Sequence, residues 1–286
     1  MPDSPVYRPH DEAPAIGTFR TALPSAAWAG LETRAFEYVS RGDFVQGRIY
    51  LPETLRAGPS PLLLLVHGTA ESAESESLGF AADWVHRGMA VATIDLPLHG
   101  RRASPKLSER LFQGIGDLTR GNGIDADTHA LVEEFTRQST SDLIRGLDVL
   151  CALPEIDAER VGIVGLGVGA TVSAYLIAHD TRPRACVFAG GIGRFEDAEL
   201  DPATRLAART TTDICPILVL AIASDPAVPP GAAHAFFEDA PEPKDFAEIS
   251  GRAEKSSGIP KAASQQAADF LDKHLMSSPT SPPRMS

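Results

Sequence analysis

VGIVGLGVGA, residues Val161–Ala170, decides how the chain is read. An apolar run ends in glycines at 165, 167 and 169, and a second apolar segment, through Tyr175 and Ile177, follows. Short apolar runs bounded by glycine read as buried strands, and longer ones as helices. The pattern therefore predicts a strand over Val161–Leu166, a tight turn at Gly167, and a helix from Val168 to about His179.

Similar signals repeat on both sides. Leu62–His67, LLLLVH, is an unbroken apolar run ended by Gly68, the mark of a strand buried on both faces of a mostly parallel sheet. Met89–Asp95, Ala185–Ala189, Ile217–Ala223 and Asp245–Ile249 read as further strands. Phe36–Leu51 alternates apolar and polar residues around Arg41-Gly42-Asp43 and reads as an antiparallel hairpin. Helices are expected over Ser75–Arg87, over Thr140–Ala152 with Leu143, Leu147 and Leu150 on one face, from Pro230 to Glu238, and over Pro260–Leu275. Alternating buried strands and helices after an antiparallel start give a doubly wound α/β sheet.

Three stretches fall outside this alternation. Residues 1–34 are rich in Pro, Ala and acidic residues and read as an N-terminal arm, with a short helical piece near Ala26–Thr33. Residues 101–135 are polar and glycine-containing, longer than an ordinary connection, and read as an irregular cap insertion. A second irregular insert spans about 190–212. The sheet domain itself is expected over 35–276, with 277–286 a disordered tail by composition.

Composition narrows the function classes. The chain has 286 residues with a net charge of -12, which argues against nucleic acid or an anionic membrane as the main partner. Cys151, Cys186 and Cys215 are far apart, each in an apolar context, and read as buried thiols, neither disulfides nor metal ligands. The first residues carry no basic segment followed by an apolar one, and no run is long enough to span a bilayer, so a cytoplasmic location is the default. No metal or other cofactor is expected. The partner expected is a small molecule, with a protein partner or self-association left open.

Four motifs give the chain a family resemblance: LLLLVHGTAES at Leu62–Ser72, VATIDLPLHGRR at Val91–Arg102, VGLGVGA at Val164–Ala170, and LAIASDPAVPP at Leu220–Pro230. In this order they resemble the α/β-hydrolases, in particular the dienelactone hydrolase-like and acetyl-esterase-like branch, over roughly residues 36–275. The resemblance implies that Val164–Ala170 is the nucleophile elbow, G-x-S-x-G. It places an oxyanion loop at His67, Gly68, Thr69 and Ala70, whose Thr69 or Ala70 N–H would work with that of Val168, beside Leu166. It puts the triad acid at Asp225 and the triad histidine in the loop after the last strand.

Two of those positions depart from the pattern. The elbow residue is Gly167, which has no side chain and cannot be a nucleophile. Where Gly-His is usual the chain reads Gly251-Arg252. What remains is Asp225, whose role in a triad is to orient a histidine. A glycine-rich turn without special meaning is one alternative for this stretch. A phosphate loop is another, although the third glycine of G-x-G-x-x-G and a Walker lysine are both lacking. Arg252 can bind an anion, pair with Asp225, or stand solvated.

His99, in LPLHGRR, is the best-placed substitute base, with a structural role in its turn as the plainer reading. His67 is expected to hold loop geometry. Thr69, Ser72 and Ser224 lack the neighbouring base that activation requires, and Glu71 reads as solvated. The expectation is a pseudohydrolase that binds a ligand or partner. The competing expectation is an enzyme independent of the triad (a lyase, isomerase, cyclase or weak hydrolase) using the oxyanion-type donors.

Overall fold

A computed structural model of the protein describes residues 13–53, 58–209, 214–223, 228–229, 231–251 and 258–276. Strands β1 (Thr18–Thr21), β2 (Glu32–Ser40), β3 (Asp43–Leu51), β4 (Ser60–Val66), β5 (Ala90–Ile94), β6 (Ile156–Leu166), β7 (Pro183–Ala189), β8 (Ile217–Ile222) and β9 (Lys244–Ile249) form one sheet. Their spatial order is β1-β2-β3-β5-β4-β6-β7-β8-β9. The first three pair antiparallel with one another and onto β5, and every pairing from β5 to β9 is parallel. This is the mostly parallel sheet with an antiparallel hairpin at its start that the sequence implies. The hairpin turns through Arg41 and Gly42, both at positive φ, as a two-residue turn in register with right-handed strand twist requires.

Helices α1 (Ala82–His86), α2 (Pro105–Thr119), α3 (Ala126–Cys151), α4 (Val168–His179), α5 (Pro202–Ala207), α6 (Ala232–Asp239) and α7 (Lys261–Leu271) cover both faces. The unbroken LLLL run of β4 explains the two-sided core. Leu62 and Leu64 enter the apolar layer beneath α2 to α6, while Leu63 and Leu65 enter the layer shared with α1 and α7. All four are fully buried, as a strand with no solvated face demands.

Three readings of local structure are corrected. Residues 101–135 are not irregular: they hold α2 and the first half of α3, which runs unbroken for 26 residues and contains the shorter helix expected from Thr140. Leu111, Ile115 and Leu118 on α2 and Val132 and Phe135 on α3 join the core at helical spacing. The period is masked further along by buried polar residues. Gln138 Nε2 donates to Asp142 Oδ1 at 2.7 Å, and Ser139 and Thr140 are buried as well. The N-terminal arm is partly sheet, since β1 adds an edge strand and β2 already begins at Glu32. The helical piece within it is one short turn, Ala26–Trp28, whose buried Trp28 stacks on Tyr50 at 3.8 Å. Finally, Ser75–Arg87 forms two pieces, a 3-10 turn over Glu76–Ala81 followed by α1. The expected tail, 277–286, lies outside the described residues.

Among the described residues no helix is long and apolar enough to cross a membrane. No three metal-ligating side chains converge among them either.

A buried ion pair fixes the chain where it leaves β5. Asp142, fully buried on α3, accepts from Arg102 at 2.6 Å. Arg102 also donates to the Asp95 carbonyl at 3.1 Å, so the pair ties the turn after β5 to the long helix. Burial pushes the Asp142 carboxyl up, and Arg102 opposes that shift. Removing one partner strands the other charge in a dry site. Arg102→Ala is expected to lower unfolding free energy by about 3 kcal/mol in urea melts. Arg102→Met combined with Asp142→Leu is expected to lose much less.

Candidate functional site

The site forms where β4 and β6 end side by side, with Val66 in register with Gly165. The chain leaves β6 at Leu166, turns at Gly167 and enters α4 at Val168. Gly167 has φ +55° and ψ −122°, a conformation that L side chains adopt only under strain. This sharp strand-to-helix turn has the geometry expected of an elbow.

The flanking glycines are required by space. A Cβ on Gly165 would sit 2.5 Å from the Gly169 carbonyl oxygen. A Cβ on Gly169 would drive into the carbonyl oxygens of Val66 and His67. Gly167 differs. A Cβ there would point at the loop after β4, 3.5 Å from Gly68 Cα and 3.8 Å from Thr69 N, ordinary contact distances. The place for a side chain exists and is vacant because the residue is glycine.

The loop after β4 is held from beneath. His67 is buried, and its Nδ1–H donates to the Gly68 carbonyl at 2.9 Å while Nε2 accepts from Leu96 N–H at 3.2 Å. Both ring nitrogens are therefore occupied, and burial lowers the His67 pKa, keeping the ring neutral. Glu71 is not simply solvated: it accepts from Gly68 N–H at 2.7 Å and from the Ser77 hydroxyl. Asp95, buried, accepts from Ala73 N–H at 2.8 Å and Arg101 N–H at 3.1 Å, fastening the next turn. Ala70 takes positive φ in this loop. Thr69 and Ala70 are exposed, Gly167 is half-buried, and the side chains of Leu166 and Val168 are buried, so the open face presents Thr69, Ala70 and the backbone of the turn. The N–H of Val168 opens α4, where the helix favours an electronegative partner.

His99 does not reach this face. It is 1% exposed, with its ring packed on Phe112 at 4.7 Å, His67 at 5.1 Å and Phe135 at 5.8 Å. Its Nδ1–H donates to the Pro97 carbonyl at 2.8 Å, leaving Nε2 buried without a partner among the described residues. Burial pushes the imidazole down to about 4, the Pro97 bond opposing this. The thiols are equally ill-suited to attack. Burial raises Cys186 well above its ordinary range and Cys215 to about 12.

Asp225 and Arg252 lie outside the described residues, as does Ser224. The strands that lead to them are neighbours, with Ile222 opposite Ile249.

A feature that the sequence reading did not single out lies beside the elbow. After β7, Gly190 and Gly191 both take positive φ, and a Cβ on Gly191 would collide with Gly167 Cα. This glycine pair floors a cleft of about 550 Å³ at the ends of β7, β8 and β9, walled by α6 and reached by Arg120 from the end of α2. The cleft is not lined by Gly68, Thr69 or Gly167. The glycine pair after an apolar strand was its one visible signal.

No protein-family model matches the chain. Solved structures do. A cold-adapted esterase from an Arctic intertidal metagenomic library superposes with a TM-score of 0.64 at 23% identity, covering 86% of this chain and 95% of that one. An acetyl xylan esterase from Paenibacillus sp. R4 gives 0.69 at 16%, covering 94% and 92%. Acetyl xylan esterase 1 from Thermoanaerobacterium sp. JW/SL YS485 gives 0.67 at 17%, covering 95% and 92%. At these identities the likeness shows the fold: the chain has the α/β-hydrolase fold.

Two measurements check the site's physics. Gly167→Ser is expected to cost about 1–3 kcal/mol in denaturant melts, from backbone strain without a clash. Gly191→Ala is expected to cost more, because its methyl group meets backbone that cannot yield. Equal costs would mean that the packing of the two turns does not govern them. The second measurement is pH dependence. The folded-state value of His99 lies below the ordinary 6.5, so between pH 6.5 and about 4 the unfolded chain takes up a proton that the folded chain refuses. Stability therefore falls as pH drops through that window, by about 2 kcal/mol from pH 7 to 5 through His99 alone. His67 acts in the same direction. His99→Phe is expected to flatten this slope, and an unchanged slope would assign it to other groups.

Proposed function

We propose that this protein is a pseudohydrolase, a non-catalytic member of the α/β-hydrolase fold whose role is to bind a small-molecule ligand or a partner. The observation that carries the reading is Gly167. The residue at the elbow turn faces Gly68 and Thr69 in the geometry that would present a nucleophile, and it has no side chain to present. Among the described residues, the thiols and His99 make poor substitutes. The buried Cys186 and the partly buried Cys215 stay protonated at neutral pH, and His99 is sealed beneath the loop. Arg252 at the expected histidine position removes the base from the same constellation.

What persists is a donor set suited to binding. The N–H groups of Thr69 or Ala70 and of Val168 border the open face, where they can hold a carbonyl or carboxylate oxygen without reacting with it. A cytoplasmic setting belongs to this reading and agrees with three free thiols.

One observation favours a second reading, an enzyme that needs no triad: the unpartnered Nε2 of neutral His99. It requires an opening that admits substrate to a ring now 1% exposed.

The test is reaction with a fluorophosphonate probe and short-chain p-nitrophenyl esters, on the wild-type chain and on Gly167→Ser/Arg252→His. A silent wild type and a labelled, active double variant are the expected result. Labelling of the wild type would overturn the proposal and its labelled peptide would locate the nucleophile. Wild-type turnover lost in His99→Phe would establish the second reading.

A further inference from the structure

We propose that the cleft beyond the elbow, between the ends of β7 to β9 and helix α6, is a binding site for a small apolar monocarboxylate. The inference goes beyond the reading above and stands without it, because none of the described residues invoked there lines this cleft.

Size is the first argument. At about 550 Å³ the cleft lies within the range that small-molecule sites occupy. Its lining is mainly apolar and includes Phe246 on β9, Ala233 on α6 and Val228. Its floor is bare main chain. Gly190 and Gly191 take φ of 65° and 67°, and the contact of Gly191 with Gly167 leaves no room for a side chain there. A flat or extended apolar body can thus lie on backbone and against Phe246, where its burial supplies the driving force.

Charge sets the polar end. Arg120, at the end of α2, is the one Arg or Lys among the described residues of the lining. Its guanidinium donates to Asp117 Oδ1 at 2.9 Å through one amino group. Asn122 also donates to that carboxylate oxygen, at 3.2 Å. A guanidinium carries five N–H groups in a planar fork, so Arg120 keeps donors for a carboxylate. Glu248, exposed on β9, also borders the cleft, and His234 is in contact with Glu238 at 3.3 Å. An acidic group on that side repels a second carboxylate. The arrangement therefore selects one anion at the Arg120 end with an apolar body behind it.

Titration calorimetry on the full chain tests this with hexanoate, hexanol, hexylamine and adipate. Saturable 1:1 binding of hexanoate, stronger than that of hexylamine or adipate, is expected. Arg120→Gln is expected to weaken hexanoate roughly tenfold, the worth of a charge-assisted hydrogen bond, and to leave hexanol unchanged. Ala233→Phe fills the cleft and is expected to abolish binding of both. Should that variant fail to fold by circular dichroism, Val228→Trp closes the same space. Thr69→Trp, which blocks the elbow face, is expected to leave hexanoate binding intact. The proposal is overturned by absence of saturable binding, by amine or adipate binding as well as hexanoate, by binding that survives the filled cleft, or by loss of binding in Thr69→Trp. Only the last result would move the ligand to the elbow. None of these outcomes bears on whether the elbow is catalytically silent, which the esterase probe decides separately.

Discussion

Main chain packed on main chain, at the carboxyl end of β6, is the contact on which the rest of the site depends. The α4 helix begins so close to β4 that its first turn presses on the last carbonyl groups of that strand, and only residues without a Cβ fit at 165 and 169. From the other side Gly191 presses on Gly167. Four glycines from two crossover connections thus set the spacing of three parallel strand ends. A methyl group at three of these positions would force backbone to move, and backbone in a close-packed interior yields poorly. The open face takes its shape from this contact, and its chemistry is accordingly that of peptide groups.

A set of buried polar side chains then fixes the loops around that contact. His67 bridges the turns after β4 and β5, Asp95 pins two further N–H groups, and Glu71 holds Gly68 in place. Each of these groups would be costly to bury without its partners, and each has them. The exception is Nε2 of His99, unpartnered among the described residues in a sealed pocket between aromatic rings. A neutral imidazole tolerates that position and an imidazolium does not, which is the physical content of its lowered pKa. The geometry of these loops is therefore maintained by interactions that do not involve residue 167.

The centre of the sheet was legible in the sequence because strands β4 to β8 are largely apolar runs that glycine or proline punctuates. LLLLVHG and the Val161–Ala170 stretch announce their roles through composition alone. The helical region after β5 was not legible for a physical reason. Residues 101–135 mix arginines, acids and glycines, and α3 continues with Gln138, Thr140 and Asp142 buried in polar contacts that erase the hydrophobic period. Propensity reads such a stretch as solvated, whereas tertiary hydrogen bonding makes it core. At the site, the turn at Gly167 could be read from the spacing of its glycines. The adjacent cleft could not, because its lining comes from α2, β7, β8, β9 and α6, brought together only by topology. The sealing of His99 was equally hidden, since the rings that enclose it lie 13 and 36 positions along the chain.

Glycine at 167 has two consequences that point the same way. It removes the strain that a side chain would carry at φ +55°, and it empties a position whose surroundings would have accepted one without a clash. If steric exclusion were the reason for glycine, as at 165 and 169, the Cβ contacts would be short. They are not, so glycine at 167 is a matter of conformation and chemistry. The elbow stays in its sharp geometry even so, because the packing of Gly165, Gly169 and Gly191 dictates the turn whatever residue stands at its apex. A turn fixed in this way leaves a rigid edge beside a cleft of ligand size, and rigid edges of that kind lower the entropic cost of holding a small molecule.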